Sequence, residues 1–200
     1  MPHRTCADGE TVLPTRDGHV EGFWELFSRL RRRWVKVELL QEYDESDSIA
    51  YRRFKEGNHE EAARLVTEFV RSQSEIYELA RERKLEMIRI RIFVLPLTDY
   101  LRYYEIPAYE SDVECGEKVF FLQDTQAADI LDHGITDYVL FDDERVLSLH
   151  YEESASTLRE ARLAEGSETV GKYMEITEKL LERSVPMHQS PAYQEILTSG

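Results

Sequence analysis

Two hundred residues, 42% apolar and 10% aromatic, suffice for one domain with a real core, and nine glycines and six prolines argue against a fibrous or disordered chain. The formal net charge is −15. A surface that acidic repels phosphate backbones and anionic lipid, so direct nucleic-acid or membrane-surface binding is disfavoured and a basic protein or cationic ligand is favoured. With no apolar leader, no run of transmembrane length, and Cys6 and Cys115 far apart in unlike contexts, the expectation is a cytoplasmic chain with two free thiols.

Residues 1–19 mix Pro, Gly, Thr and charge without a period and are expected to form a loose arm. Phe23, Trp24, Phe27 and Leu30 follow helical spacing, and Arg31–Arg33 are placed to complement that helix's dipole. In Trp34–Tyr43, Val35, Val37 and Leu39 alternate with Lys36, Glu38 and Glu42, a strand pattern. After an acidic turn, Asp47 is expected to cap a short helix carrying Tyr51 and Phe54 and closed by Gly57. Asn58 and Glu61 open a long amphipathic stretch through Ala80, with Ser72-Gln73-Ser74 as a point of division.

Met87–Leu95 reads as the central strand. Ile88, Ile90 and Ile92 alternate with Arg89, Arg91 and Phe93, and Pro96 ends the ladder because it has no backbone donor. Leu97, Leu101 and Tyr104 then take helical spacing. Ile106–Glu110, with Pro107, is expected to be extended. Val119–Leu122 is a strand, and Asp124 starts a short helix. Tyr138–Phe141 and Val146–Tyr151 form a hairpin across Asp142-Asp143-Glu144-Arg145. Thr157–Leu163 fits a strand or a helix start, and Ser167–Leu181 forms a last helix before a tail at 188–200. Residues 20–187 are thus expected as a single α+β or mixed α/β domain with a mostly antiparallel central sheet flanked by helices.

The blocks VKVELLQEYD (Val35–Asp44), PLTDYLRYYE (Pro96–Glu105) and YVLFDDERVLSLHY (Tyr138–Tyr151), with a final helix running into Ser184–Pro186, resemble an uncharacterised actinobacterial domain family from about Glu21 to Met187. The resemblance implies a small cytoplasmic protein encoded near helix-turn-helix regulators. It also implies a layout similar to a degenerate half of the phospholipase D-like fold. That superfamily needs His-x-Lys followed by Asp, whereas this chain offers only His150-Tyr151-Glu152, so a phosphohistidine mechanism is not supported.

Other chemistry is sparse. No GxSxG, phosphate-cradling Gly-rich loop, HExxH or CxxC occurs. Asp132, His133 and Asp137 carry ligand atoms without metal-site spacing, and the paired Asp142 and Asp143 are turn formers as readily as acids. Asp99, Tyr100, Arg102 and Glu105 gather polar groups just beyond the central strand, though Asp99 can equally cap the turn and Arg102 pair with a neighbouring acid. Arg89 and Arg91 on one strand face must be paired or line a groove, and Glu38 is the expected partner. Glu38, Arg89, Arg91, Asp99, Tyr100, Arg102, Glu105, Asp142 and Asp143 form the candidate ligand-binding set, with no catalytic residue, metal or cofactor assigned. The leading expectation is a non-catalytic regulatory protein partnering a helix-turn-helix regulator or other basic protein. The alternatives are a small-molecule or nucleotide sensor with a basic, aromatic pocket and a cryptic phosphodiesterase-like hydrolase using Asp142, Asp143 or His150.

Overall fold

The computed structural model describes residues 4–5, 10–16, 19–131, 134–152 and 156–199. Its elements, in chain order, are β1 (Arg4–Thr5), β2 (Thr11–Leu13), β3 (Thr15–Arg16), β4 (His19–Val20), α1 (Phe23–Ser28), β5 (Arg33–Glu38), α2 (Ile49–Lys55), α3 (His59–Ser72), α4 (Ser74–Arg83) and β6 (Glu86–Phe93). A π-helical turn (Leu101–Glu105) then leads into α5 (Ile106–Cys115), β7 (Lys118–Gln123), α6 (Asp124–Ala127), β8 (Asp137–Phe141), β9 (Arg145–Tyr151), β10 (Leu158–Ala164) and α7 (Ser167–Arg183). The chain closes with β11 (Val185–Pro186), a 3-10 turn (Met187–Gln189) and α8 (Pro191–Ser199).

Strand β6 organises the rest. It pairs in parallel with β5 on one side and β7 on the other, and every other pairing in the nine-stranded order β1-β2-β10-β9-β8-β5-β6-β7-β11 is antiparallel. The expected mixed α/β architecture, mostly antiparallel and flanked by helices, is the one observed. Because side chains alternate across a strand, the sheet's two faces differ. On one, Val35, Val37, Ile88, Ile90, Ile92, Tyr138 and Leu140 pack with Val170, Tyr173, Ile176 and Leu180 of α7. On the other, Trp34, Met87, Val139 and Phe141 join the core under α1–α4, while Phe93, Val119 and Phe121 join a smaller cluster with Leu101, Ile106, Tyr109 and Tyr193.

Several local expectations change. Ser48, not Asp47, caps α2, its hydroxyl accepting the Tyr51 amide, and Gly57 leaves the helix at φ +79°. Asn58 caps α3 through Glu61 N–H, as its spacing predicts. Residues 106–110 are helical, not extended: the π-helical turn Leu101–Glu105 runs directly into α5, and Pro107 follows that wider turn. Thr157–Leu163 resolves as a strand, since Leu158–Ala164 finds a partner in β9 and another in β2. Thr11–Leu13 thereby extends the sheet into the stretch expected as a loose arm. The tail after residue 187 is helical, and Ala192 and Tyr193 are buried against β7's apolar side. Cys115 is a free, half-buried thiol, and Cys6 lies outside the described residues. Among the described residues no helix is long and apolar enough to cross a membrane.

Candidate functional site

The strand alternation that points Ile88, Ile90 and Ile92 one way points Arg89 and Arg91 the other, together with Lys36 and Glu38 of β5 and Asp137 of β8. These five form a charged belt across three neighbouring strands, between the two apolar clusters of that face. Arg89 Nη1 donates to Glu38 Oε1 at 2.8 Å, Lys36 Nζ lies 2.6 Å from the same oxygen, and Tyr109 Oη donates to Glu38 Oε2 at 2.7 Å. Arg89 also grips Glu117, Nε to Oε1 at 3.0 Å and Nη2 to Oε2 at 3.3 Å, and lies 3.3 Å from Asp112. The predicted Glu38–Arg89 pairing is therefore present, and α5 and the start of β7 close it from above.

Burial and charge set opposite directions within the belt. Burial pushes Glu38 upward, but Arg89, Lys36 and Arg91 hold it well below the usual carboxylate range. Burial raises Glu117 to about 7, with Arg89 opposing and Asp112 adding to the rise. Asp137 is raised by burial while it accepts Leu39 N–H at 2.8 Å and the Tyr43 hydroxyl. Arg91, fully buried, donates from Nη1 to Tyr43 Oη at 3.1 Å and lies over that ring at 5.4 Å.

A second polar knot adjoins the belt through the π-helical turn. Tyr100 Oη lies 2.6 Å from Glu45 Oε1 and 2.8 Å from Glu105 Oε1, and Tyr104 Oη donates to Glu45 Oε2 at 2.9 Å. One hydroxyl proton cannot serve two carboxylates at once. A second proton on one of the acids resolves the arrangement, in line with Glu45 being raised to about 7 by burial and by Glu105.

Of the expected set, Glu38, Arg89, Arg91, Tyr100 and Glu105 come together in the belt and the adjoining knot. Asp99, Arg102, Asp142 and Asp143 do not. Asp99 is exposed and does not cap: Thr98 does, its hydroxyl accepting Leu101 N–H at 3.1 Å. Arg102 is half-buried and makes no side-chain hydrogen bond or ion pair among the described residues. Asp142 and Asp143 sit at the opposite end of β5, because β8 runs antiparallel to it and Phe141 aligns with Trp34. Both Asp have positive φ, +56° and +61°, a conformation that Asp tolerates in hairpin turns. The Asp142 carboxylate is taken up by the backbone N–H groups of Arg31, Arg32 and Arg33, and Asp143 by the Arg32 and Arg33 side chains. The arginine run thus anchors the hairpin rather than capping α1. His150 is half-buried, with Nε2 3.0 Å from Ser148 Oγ, beneath the sheet's other face.

Tyr43, Glu45, Asp112 and Glu117 are the site residues that the sequence does not reveal. Each lies on a connection or helix whose placement depends on tertiary packing; only the position of Glu117, two residues before Val119 that aligns with Arg89, carries a hint once the register is known. Asp132 and His133 lie outside the described residues. Among the described residues no group of three His, Cys, Asp or Glu side chains is arranged to hold a metal ion.

The sequence model of one domain family, described as "Domain of unknown function (DUF6879)", matches residues 21–190. The chain belongs to this family. The DUF6879 match covers both halves of the charged belt and stops just short of α8. No curated protein matches the sequence. Two of the solved structures that are similar in part serve as examples. TrmBL2, described as an archaeal chromatin protein with a novel mode of DNA binding, is 11% identical with a TM-score of 0.39, over 81% of this chain and 48% of that one. This chain therefore spans about half the length of that relative. NucT from Helicobacter pylori is 13% identical with a TM-score of 0.43, over 88% of this chain and 96% of that one. At these values neither likeness bears on function.

Proposed function

We propose that this DUF6879 protein is a non-catalytic cytoplasmic regulator that acts by binding a basic protein, first of all a helix-turn-helix DNA-binding regulator, without contacting DNA itself. The observation that carries this reading is how the surface charge is spent. Six exposed cations, Arg53, Arg64, Arg71, Lys118, Lys179 and Arg183, are each engaged by a carboxylate at 2.5–2.8 Å, whereas exposed Arg29, Arg31, Arg81, Lys84 and Arg159 carry no ion pair among the described residues. Glu75, Glu78 and Glu82 share the exposed side of α4 at helical spacing and carry no ion pair among the described residues. Surplus negative charge left on one helix face attracts a cationic surface and steers its approach. The resemblance to a family encoded beside helix-turn-helix regulators supplies the class of partner. The lack of a His-x-Lys element and the full engagement of Asp142 and Asp143 favour binding over phosphodiester chemistry.

The test is calorimetric titration of the purified chain with the regulator encoded beside its gene, at low and high salt. Binding that weakens with salt, and falls about tenfold or more in a Glu75→Lys, Glu78→Lys, Glu82→Lys variant, is expected for an interface held by these charges. Absence of binding by the wild type, or equal affinity of the triple variant, overturns the reading.

A further inference from the structure

Arg89 and Arg91 stand two residues apart on the same face of β6, and their guanidinium groups differ in one respect. Arg89 presents the edge formed by Nε and Nη2 to both oxygens of Glu117. Arg91 has the same edge fully buried, and neither its Nε nor its Nη2 has a hydrogen-bond partner among the described residues. Among the described residues its sole acceptor is Tyr43 Oη, reached from Nη1. The Nε–H and Nη2–H bonds run side by side in the guanidinium plane, the geometry that grips two oxygens of one carboxylate or phosphate group. Leaving such a charged edge without an acceptor in a buried site is costly.

The geometry points to Arg91 as the anchor of a small-ligand site in which a carboxylate or phosphate group fills the Nε/Nη2 edge as Glu117 fills that of Arg89. Its place fits: Arg91 aligns with Glu38, the last residue of β5, at the carboxyl end of the parallel strands, where open α/β sheets receive ligands. Tyr43 covers it from residues 39–48, the connection between β5 and α2. That connection is held by Tyr43 on Asp137, by Gln41 Nε2 on Ile92 O at 3.0 Å, and by Val94 N–H on Gln41 Oε1 at 3.0 Å. Entry requires Tyr43 to swing away from Asp137 and Arg91; the rest of the connection is tied down separately, by Glu42 to Tyr51 and Lys55, by Asp44 to Thr157 and by Glu45 to Tyr100 and Tyr104. The acids facing Arg91 are already engaged: Glu38 by Lys36, Arg89 and Tyr109, Asp137 by Tyr43 and Leu39, and Glu105 by Tyr100. The site is separate from the acidic face of α4, so either reading can fail without the other.

The test follows the arginine Nε–Hε groups of the full chain by proton–nitrogen correlation spectroscopy during titration with inorganic phosphate or acetate. A saturating downfield shift at Arg91, with Arg89 unmoved, is expected from at least one anion. Phosphate alone or acetate alone assigns the ligand group. The thermal midpoint should rise with anion concentration, by about 5–10 °C at 100 times Kd, and Arg91→Lys should abolish the rise. Should Arg91→Lys not fold, the wild-type Arg91 signal decides. No shift at Arg91 up to about 50 mM of either anion, enough to fill a millimolar site, overturns the proposal. So does an equal response at half-exposed Arg102, which marks an adventitious ion only. An Arg91 signal that moves in Glu105→Gln and ignores both anions also overturns it, because an internal carboxylate then closes the edge.

Discussion

The two faces of the central strands solve the problem of burial in different ways. Beneath α7, Val35, Val37, Ile88, Ile90 and Ile92 need only apolar neighbours of about the right volume, and such packing is non-directional. On the opposite face Lys36, Glu38, Arg89, Arg91 and Asp137 are brought out of water together, and each needs a partner at a particular distance and angle. Beyond their pairing with one another, those partners come from the connection after β5, from α5, from Glu117 just before β7 and from Tyr151 of β9. One face is a core that many sequences could build. The other is specified residue by residue, and among the described residues its buried side-chain donors without a hydrogen-bond partner are Trp34 Nε1 and the Nε and Nη2 of Arg91.

The largest effect that separates the faces should come from Glu38→Ala. It removes the carboxylate that pairs Lys36, one of the three acids on Arg89 and the acceptor of the buried Tyr109 hydroxyl, and a loss of about 3–5 kcal/mol in urea denaturation is expected. Should it cost no more than a methyl deletion on the apolar face, the belt is not the stabilising network described.

The next effect is in pH. Glu117 has a folded pKa of about 7 against an ordinary value of 4.5, so the folded state holds a proton that the unfolded chain has released. Its contribution is complete below pH 4.5 and is lost as pH rises through 7. It is worth up to about 3 kcal/mol, and Glu45, raised to about 7, acts in the same direction. Glu38, held low, does the reverse: its contribution is present above 4.5 and is lost as pH falls. Stability measured across pH should therefore peak near pH 5 and decline toward pH 8, and Glu117→Gln should flatten the decline. A wild-type curve level between pH 5 and 8 would show that the belt titrates as ordinary surface groups do.

The smallest effect is the control. Ile90→Val removes one methylene from a fully buried site on the apolar face and should cost about 1 kcal/mol, lowering the pH curve without changing its shape.

Much of this was legible in the chain. The alternation in Ile88–Phe93 gives both the strand and the two faces, and it leads directly to Glu38 as the partner of Arg89. The Asp142-Asp143 hairpin is equally local, because two residues with positive φ at a tight turn are a matter of backbone sterics. The errors have a common origin. Asp99, Arg102 and Asp142 are charged groups like Arg91 but do not share its place: Thr98 takes the cap, Arg102 stays at the half-buried edge, and Asp142 lies at the far end of β5. Pro107 suggests an extended segment, yet the helix continues through it from the π-helical turn just before.

By itself the sequence determined what depends on neighbours a few residues away: the periods of the strands and helices, the turns, the caps at Asn58 and Gly57, and the side of each strand on which charge falls. Only the tertiary structure decided which ends of those strands meet. Parallel pairing of β5 with β6 sets Glu38 beside Arg91, antiparallel pairing of β8 carries Asp137 to that end and Asp142 to the other, and a helix through Pro107 brings Tyr109 over the belt. Direction and register are set by the burial of whole faces, a sum over distant residues that no local pattern contains.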